Sequence, residues 1–306
     1  MASDLHADVG LIGGTGLYHM KGLEDVRDVV MDTPFGKPSD PLLLGTLRGR
    51  RVAFVARHGR DHRLLPTELP YLANLYALKS LGVRQVLAVS AVGSLRAEIA
   101  PRSLVVPDQT IDVTRHRRTT FFGDGVVAHV ALGDPFCAGL RATLIASVAA
   151  TGGTAFPRGT YIGMEGPQFS TRAESLRHRS WGGDIVGMTN ATEARLAREA
   201  EMCYATLALV TDYDAWRPHE VTVETSEILT LLREMGDTAA AVLSQALAAL
   251  PDGDCACRHA LEPALVTRFD RISPEARTRL KAILDPLEAR LSSKGNAGAG
   301  GASGAR

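Results

Sequence analysis

The sequence predicts an α/β fold: a mixed, largely parallel central sheet flanked by helices within a single domain. Three observations point to it. Short apolar runs alternate with longer helical patterns, and runs that are continuously apolar belong to strands covered on both faces. Several of those runs stop abruptly in glycine, hydroxyl or charged residues, and ligands of open α/β sheets collect just beyond the carboxyl ends of strands. The chain of 306 residues is 45% hydrophobic, with no repeat of fixed period and no linker between two cores, so one large core accommodates it.

Taken in order, residues 8–12 form a first strand that runs into Gly13, Gly14, Thr15 and Gly16. Residues 41–47 and 51–56 form a hairpin around Arg48, Gly49 and Arg50, and its second strand ends in Arg57, His58, Gly59 and Arg60. The apolar spacing Leu69, Leu72, Leu75, Tyr76, Leu78, Leu81 gives a helix over 67–81, stopped by Gly82. Residues 84–89 are a buried strand that ends in Ser90, Ala91, Val92, Gly93 and Ser94. Short strands at 103–106 and 108–112 flank Pro107, and the polar and aromatic stretch 115–125 reads as a long surface loop. A helix over 135–150, a strand over 160–164, a turn at 165–170, a helix to about 179 and a strand over 184–188 follow. Asn190 and Glu193 have the spacing of a capping box that opens a helix to 201. The strand at 205–210 ends in Thr211, Asp212, Tyr213 and Asp214, and residues 222–250 are a long helical stretch. Beyond a domain at 8–250, residues 251–291 read as a helical extension, with an amphipathic helix from 274. Residues 292–306 offer no core side chains and are expected to be disordered.

Composition narrows the function. Lys plus Arg and Asp plus Glu both number 34, which leaves no electrostatic footprint for nucleic acid or an anionic membrane. No apolar run approaches the roughly 20 residues of a membrane span, and the N-terminus lacks a basic region followed by an apolar one, so a cytoplasmic protein is expected. Of the 4 cysteines, Cys137 and Cys203 sit in apolar context and are expected to be reduced. Cys255 and Cys257 form a CxC, too few ligands for zinc without distant help, and read as structural, incidental or a redox bridge.

The chemistry concentrates at strand ends. Asp212 and Asp214, two apart in extended chain, point to one side and can address one ligand; an isolated DxD is more often an acidic turn. A strand entering a glycine-rich turn brings backbone N–H groups near an anion. That turn lacks the Gly-Lys-Ser/Thr of a phosphate loop and the spacing of a dinucleotide fingerprint. Arg57 and His58 add a basic cluster at a third strand end, and together these ends suggest a shared anion site.

Several segments in one order carry a resemblance: GGTG (13–16), DTPFGKPSD (32–40), ARHGR (56–60), SAVGSL (90–95) and MEGPQFSTRAE (164–174). These resemble the purine nucleoside phosphorylase family. Within it, GMT (187–189) before an Ala-Arg-Glu helix, and TDYDAW (211–216), resemble the branch that acts on 5′-methylthioadenosine. One departure is Thr192, where the family usually has Pro. The resemblance implies a purine nucleoside phosphorylase-like fold, a homotrimer or dimer of trimers, and phosphorolysis with inorganic phosphate as co-substrate and no cofactor or metal.

It also implies roles. Phosphate falls to Thr15 with the amides of 13–16, Arg57, His58, Ser90, Ala91 and Thr189, and Arg suits it because its fork matches a phosphate face. Met188 lies against the ribose, while Phe169 and Ser170 lie along the purine. Asp212 faces N7 and Asp214 the 6-amino group. His129, from a neighbouring subunit, and Val223 with Ile228 line the 5′ end. Cleaving an N-glycosidic bond through a sugar of oxocarbenium character needs a nucleophile beneath the sugar and an acid for the leaving base, so Asp212 is expected to be a proton-holding carboxyl. The competing readings are a phosphorylase for 6-oxopurine nucleosides or methylthioinosine, which typically has Asn at the position of Asp212, and a non-catalytic nucleotide-binding module. A Ser or Cys hydrolase lacks its G-x-S-x-G elbow.

Overall fold

The computed structural model describes residues 5–14, 20–217 and 225–299. Its centre is an eleven-stranded mixed sheet. β1 (Val9–Gly13) lies parallel between β4 (Arg50–Ala56) and β5 (Gln85–Ser94). β3 (Leu42–Leu47) forms the expected hairpin with β4; Arg48 and Gly49 both have positive φ, the backbone of a two-residue turn that matches strand twist. β2 (Glu24–Val29) extends this side antiparallel to β3. On the other side, β7 (Gln109–Asp112), β9 (Thr160–Gly163) and β10 (Ile185–Gly187) run parallel to one another. β11 (Cys203–Asp212) runs parallel to β5 and also pairs with β6 (Leu104–Val105), which pairs in turn with β8 (Ala155–Phe156).

Alternation along the central strands feeds two cores. In β1, β4, β5 and β11, the residues Leu11, Phe54, Leu87, Leu207 and Leu209 face one cluster. It is closed by α2 (Ala138–Ala150) and α5 (Thr225–Ala249) through Leu140, Leu144, Val242 and Leu243. Their neighbours Ile12, Val55, Val86 and Tyr204 face the other, closed by α1 (Tyr71–Ser80) and α4 (Asn190–Glu199). This double burial is why the strands read as continuous apolar runs.

β5 is where the sheet forks. β11 pairs with it from Gln85 to Gly93 along one edge. On the opposite edge β1 pairs with residues 85–88, while β10 takes Gly93 and Ser94 antiparallel. Between these two partners, among the described residues, Val89 to Val92 have no strand on that edge. The gap opens at the carboxyl ends of β1, β4 and β11, where a sheet of this kind binds ligands.

The structure corrects several expectations. Helix α1 begins at Tyr71, after Pro70, because a residue before proline is disfavoured in helical backbone. The stretch 115–125 is irregular and largely exposed, as a surface loop would be, but it also sends side chains inward: the Arg117 side chain is 2% exposed, and Phe121 and Phe122 are core. β2 was not legible, since its side chains are almost all exposed. The helix expected from 274 divides into α6 (Pro274–Arg279) and α7 (Lys281–Ala299), so residues 292–299, expected to be disordered, are helical. Residues 251–291 do not stand apart from the main core: Leu280, Ile283, Leu284 and Leu287 join Leu72 and Leu75 in one cluster. Among the described residues no helix is long and apolar enough to cross a membrane.

If those leucines belong to the main core, Leu284→Ala should destabilise the whole protein by about 2–5 kcal/mol, in one cooperative transition followed by urea unfolding. A separate early transition that leaves the remainder at wild-type stability would show that the extension folds alone.

Candidate active site

Arg57 fills the gap in the sheet. Its backbone N–H continues the β4–β1 ladder by donating to the Gly13 carbonyl at 3.0 Å, which fixes where its side chain starts. Its guanidinium is 3% exposed. One terminal nitrogen donates to the Val89 carbonyl at 2.8 Å, an acceptor on the strand that forks. Nε and the other terminal nitrogen donate to the two carboxylate oxygens of Glu193, at 2.5 and 3.1 Å. Of five guanidinium N–H groups three are therefore engaged, and one on each terminal nitrogen remains for an anion.

Glu193 ties Arg57 to a directed chain of buried hydrogen bonds. Ser90 Oγ donates to Asn190 Oδ1 at 2.5 Å, Asn190 Nδ2 to the Tyr204 hydroxyl at 2.7 Å, and Tyr204 to Glu193 Oε2 at 2.6 Å. Burial alone would push the Glu193 carboxyl up and pull the Arg57 guanidinium down. Their mutual charge and hydrogen bonds reverse both shifts, so Glu193 is lowered, Arg57 is raised, and both are ionised. The Asn190–Glu193 spacing is thus no capping box. Thr189 is the N-cap and makes no side-chain cap, and both side chains turn inward to the network.

His58 and Thr189 flank this pair. His58 Nδ1 lies 2.8 Å from the Leu64 carbonyl, so Nδ1 carries hydrogen and Nε2 presents a lone pair. Burial, then the Arg57 charge, lower its pKa to about 4, leaving the ring neutral. The motif at 32–40 holds this loop: Ser39 Oγ donates to the Ala56 carbonyl at 2.7 Å, and Asp40 accepts from the Arg60 N–H at 2.9 Å. Thr189 stands at the N-terminus of α4, where the helix dipole favours negative charge. The Tyr161 hydroxyl fixes this corner by accepting from the Thr189 N–H at 3.1 Å. The preceding Met188 carbonyl is held by buried Arg117, whose Nε also meets Glu165 at 3.0 Å.

Asp212 closes β11 at the other end of the fork. Burial raises its pKa above the ordinary value; hydrogen bonds from Thr211 Oγ1 (2.7 Å) and the Asp214 N–H (2.7 Å) oppose the shift without cancelling it, and the Asp214 charge adds to it. The two carboxylates do not share a side by strand alternation. β11 ends at Asp212, and Asp214 sits in left-handed backbone, φ 50°, so an Asp-centred turn brings them together. Gly93 makes room: a Cβ there would stand 2.9 Å from Asp212 Oδ1 and 3.2 Å from Asp214 Cβ. Among the described residues, Asp214 Oδ2 is buried without a hydrogen-bond partner, an acceptor left for a ligand. Trp216 pins the turn by donating to the Ser94 carbonyl at 2.9 Å.

Arg57, His58, Ser90, Ala91, Met188, Thr189, Asp212 and Asp214 therefore gather at the fork of β5. Ser170 is buried nearby in the chain turn after Met164, donating to its sulfur at 3.6 Å, while Phe169 is 43% exposed. His129 is exposed and does not join this group: its segment pairs with the extension through the Ala264 carbonyl at 2.9 Å. Thr15, Gly16 and Val223 lie outside the described residues. A cavity of about 540 Å³ shares Tyr71 and Arg117 with the network but none of Ser90, Thr189 or Asp212. The sequence pointed to no place in the site for Glu193, read only as a cap, or for Tyr204, Tyr161 and Arg117. The one signal available was the improbability of a buried Glu and Arg without each other.

Residues 8–248 match the family model described as the phosphorylase superfamily. The chain is 50% identical over 281 residues to an S-methyl-5′-thioadenosine phosphorylase of Koribacter versatilis, covering 92% of this chain and 96% of the relative. It is 51% identical over 286 residues to one from Gloeobacter violaceus, covering 91% and 95%. Among solved structures it is similar to a methylthioadenosine phosphorylase from an antarctic soil metagenomic library, with TM-score 0.88, 48% identity, and coverage of 91% of this chain and 99% of that one. A Schistosoma mansoni methylthioadenosine phosphorylase in complex with adenine aligns with TM-score 0.81 at 33% identity, covering 85% and 99%.

Removing one member of a buried ion pair strands the other. Glu193→Ala should cost about 3–5 kcal/mol of unfolding free energy, measured by urea denaturation. The double change Arg57→Met with Glu193→Leu should recover much of that stability. A loss below about 1 kcal/mol for the single variant would mean that Arg57 is solvated rather than held by Glu193.

Proposed function

We infer that this chain, which belongs to the phosphorylase superfamily, cleaves the N-glycosidic bond of 5′-methylthioadenosine with inorganic phosphate, releasing adenine and 5-methylthioribose 1-phosphate. One observation carries the reading: a buried carboxyl with a raised pKa, Asp212, stands at the same strand ends as Arg57 and Thr189, two donors suited to an anion. An oxygen of phosphate attacks C1′ as the C1′–N9 bond breaks. The bonding pair leaves with the base, and the Asp212 proton passes to N7. Phosphate is itself the nucleophile, so the chemistry requires no group to activate water and no cofactor.

The remaining roles follow from the bonds each side chain has left. Arg57 turns its free N–H on each terminal nitrogen to phosphate, and neutral His58 accepts through Nε2 from a phosphate hydroxyl. Thr189 adds its hydroxyl, Ser90 and Ala91 line the open edge of β5, and Thr15 with its glycine-rich turn completes the anion site. Met188 packs under the ribose, with Phe169 and Ser170 along the purine and Val223 near the methylthio group. Asp214 Oδ2 accepts from the 6-amino group. A homotrimer, or a dimer of trimers, supplies His129 from a neighbour to the 5′ end, a role that suits its exposure.

Phosphate dependence is the first check. Adenine release from methylthioadenosine should require phosphate, and Arg57→Ala should mainly raise the KM for phosphate. Equal release in phosphate-free buffer would make the protein a hydrolase. Asp212 decides between bases. A 6-oxopurine sets a lone pair against the lone pair of Asp214, a mismatch worth about 1–3 kcal/mol. Asp212→Asn should lower kcat/KM for methylthioadenosine steeply and narrow the preference over methylthioinosine; unchanged rate and preference would make Asp212 a turn residue.

The pH dependence has a definite sign. Asp212 acts while protonated, so kcat/KM should fall as pH rises through its raised pKa. The same shift makes the ionised wild type relatively less stable above that pKa. Asn at 212 keeps its bonds: its carbonyl accepts from the Asp214 N–H, its amide donates to Thr211, and the Thr211 proton turns to the Val92 carbonyl, 3.3 Å away. Asp212→Asn should therefore raise Tm at neutral pH, with the gain vanishing below the ordinary aspartate pKa. A Tm difference that does not vary with pH would remove desolvation as its cause.

A further inference from the structure

The chain's 4 cysteines come from three places far apart in sequence, two of them as the CxC pair, and meet in space. Cys137 is the N-cap of α2, Cys203 opens β11, and Cys255 and Cys257 lie at the short 3₁₀ turn Ala256–His259. All are free thiols, and their four Sγ atoms lie within 4.8 Å of one another. Cys137 Sγ and Cys255 Sγ are 3.8 Å apart. A tetrahedral zinc tetrathiolate with Zn–S of about 2.3 Å has sulfur–sulfur edges of about 3.8 Å, whereas a disulfide needs about 2.05 Å. The CxC thus has the distant help that its sequence lacked.

We propose that Cys137, Cys203, Cys255 and Cys257 bind one zinc ion as a structural tetrathiolate. Four sulfurs that approach one another mutually, rather than as two separate pairs, are what a single soft cation requires. Negative charge on the ligands has support, since Cys137 caps the 13-residue helix α2 at its positive end. Leu140, Leu247 and Leu250 share the cluster's apolar surroundings and exclude water, while half-buried Cys255 leaves a way in for the metal.

The ion would join the first strand residue of β11, the start of α2 and the beginning of the C-terminal extension. Nine residue steps along β11, at about 3.3 Å each, separate Cys203 from Asp212 by roughly 30 Å. The zinc is therefore a clamp on the fold and takes no part in the reaction.

The test uses the full chain, expressed with zinc supplied and purified in reducing buffer without chelator. Elemental analysis should find one zinc per chain, released stoichiometrically by a mercurial into a chromogenic chelator. Cobalt exchanged into the site should show the visible bands of a tetrahedral tetrathiolate. Cys255→Ser, the mildest change, should lose most of the zinc and lower Tm while keeping kcat/KM within about twofold. Cys203→Ser should lose the metal as well, and if it fails to fold, the cobalt spectrum of the wild type still decides. Substoichiometric zinc with four titratable thiols would overturn the proposal. So would a mass lowered by the hydrogens of two disulfides, or iron in place of zinc.

Discussion

The site lies where β5, among the described residues, is left unpaired for part of its length on one edge. β1 leaves it after Ala88, and β10 reaches it only at Gly93. A strand edge buried without partners is costly, so something other than a strand must occupy the interval. Arg57 does so by capping the Val89 carbonyl. That places a charge inside the sheet, and the charge in turn demands Glu193, Tyr204, Asn190 and Ser90 behind it. The polar network is thus the answer to a backbone problem before it is a ligand site.

The same fork fixes the other end. Gly93 pairs with both β10 and β11, and a side chain there would meet Asp212. The register shift between Val210 and Asp212 re-aims the last residue of β11, as bulges near functional sites do. Asp212 then spends both oxygens on local donors and still keeps its proton better than a free carboxyl, because the hydrogen bonds do not repay the loss of water.

Much of this was legible in the sequence, for physical reasons. β1, β5 and β11 are buried on both faces, so their runs are unmistakable, and their ends broke off in residues a strand does not need. β2 was invisible because its side chains face solvent. Residues 115–125 read as a loop, but their inward side chains were not legible, because composition cannot tell a solvated arginine from Arg117, which is enclosed by Tyr71, Met188 and Glu165. Asn190 and Glu193 misled: local spacing favoured a cap, and a partner 136 positions away in the chain, Arg57, overrode it. The pairing of Asp212 with Asp214 was foreseen on alternation but rests on a left-handed turn, which period-two reasoning does not see. The meeting of the cysteines depends wholly on tertiary packing.

With Arg57 holding phosphate as proposed, Glu193 also bears on turnover. Because it already neutralises Arg57, an incoming anion meets well-aimed N–H groups carrying little net charge. Attraction is then short-ranged and directional, lost as soon as the geometry is lost, and weakly sensitive to ionic strength. A bare guanidinium in the same buried place would hold any phosphate ester tightly, product included. In the proposed reaction, sharing its cation with a fixed carboxylate would let Arg57 keep the grip that orients a nucleophile while lowering the barrier to letting the phosphorylated sugar go.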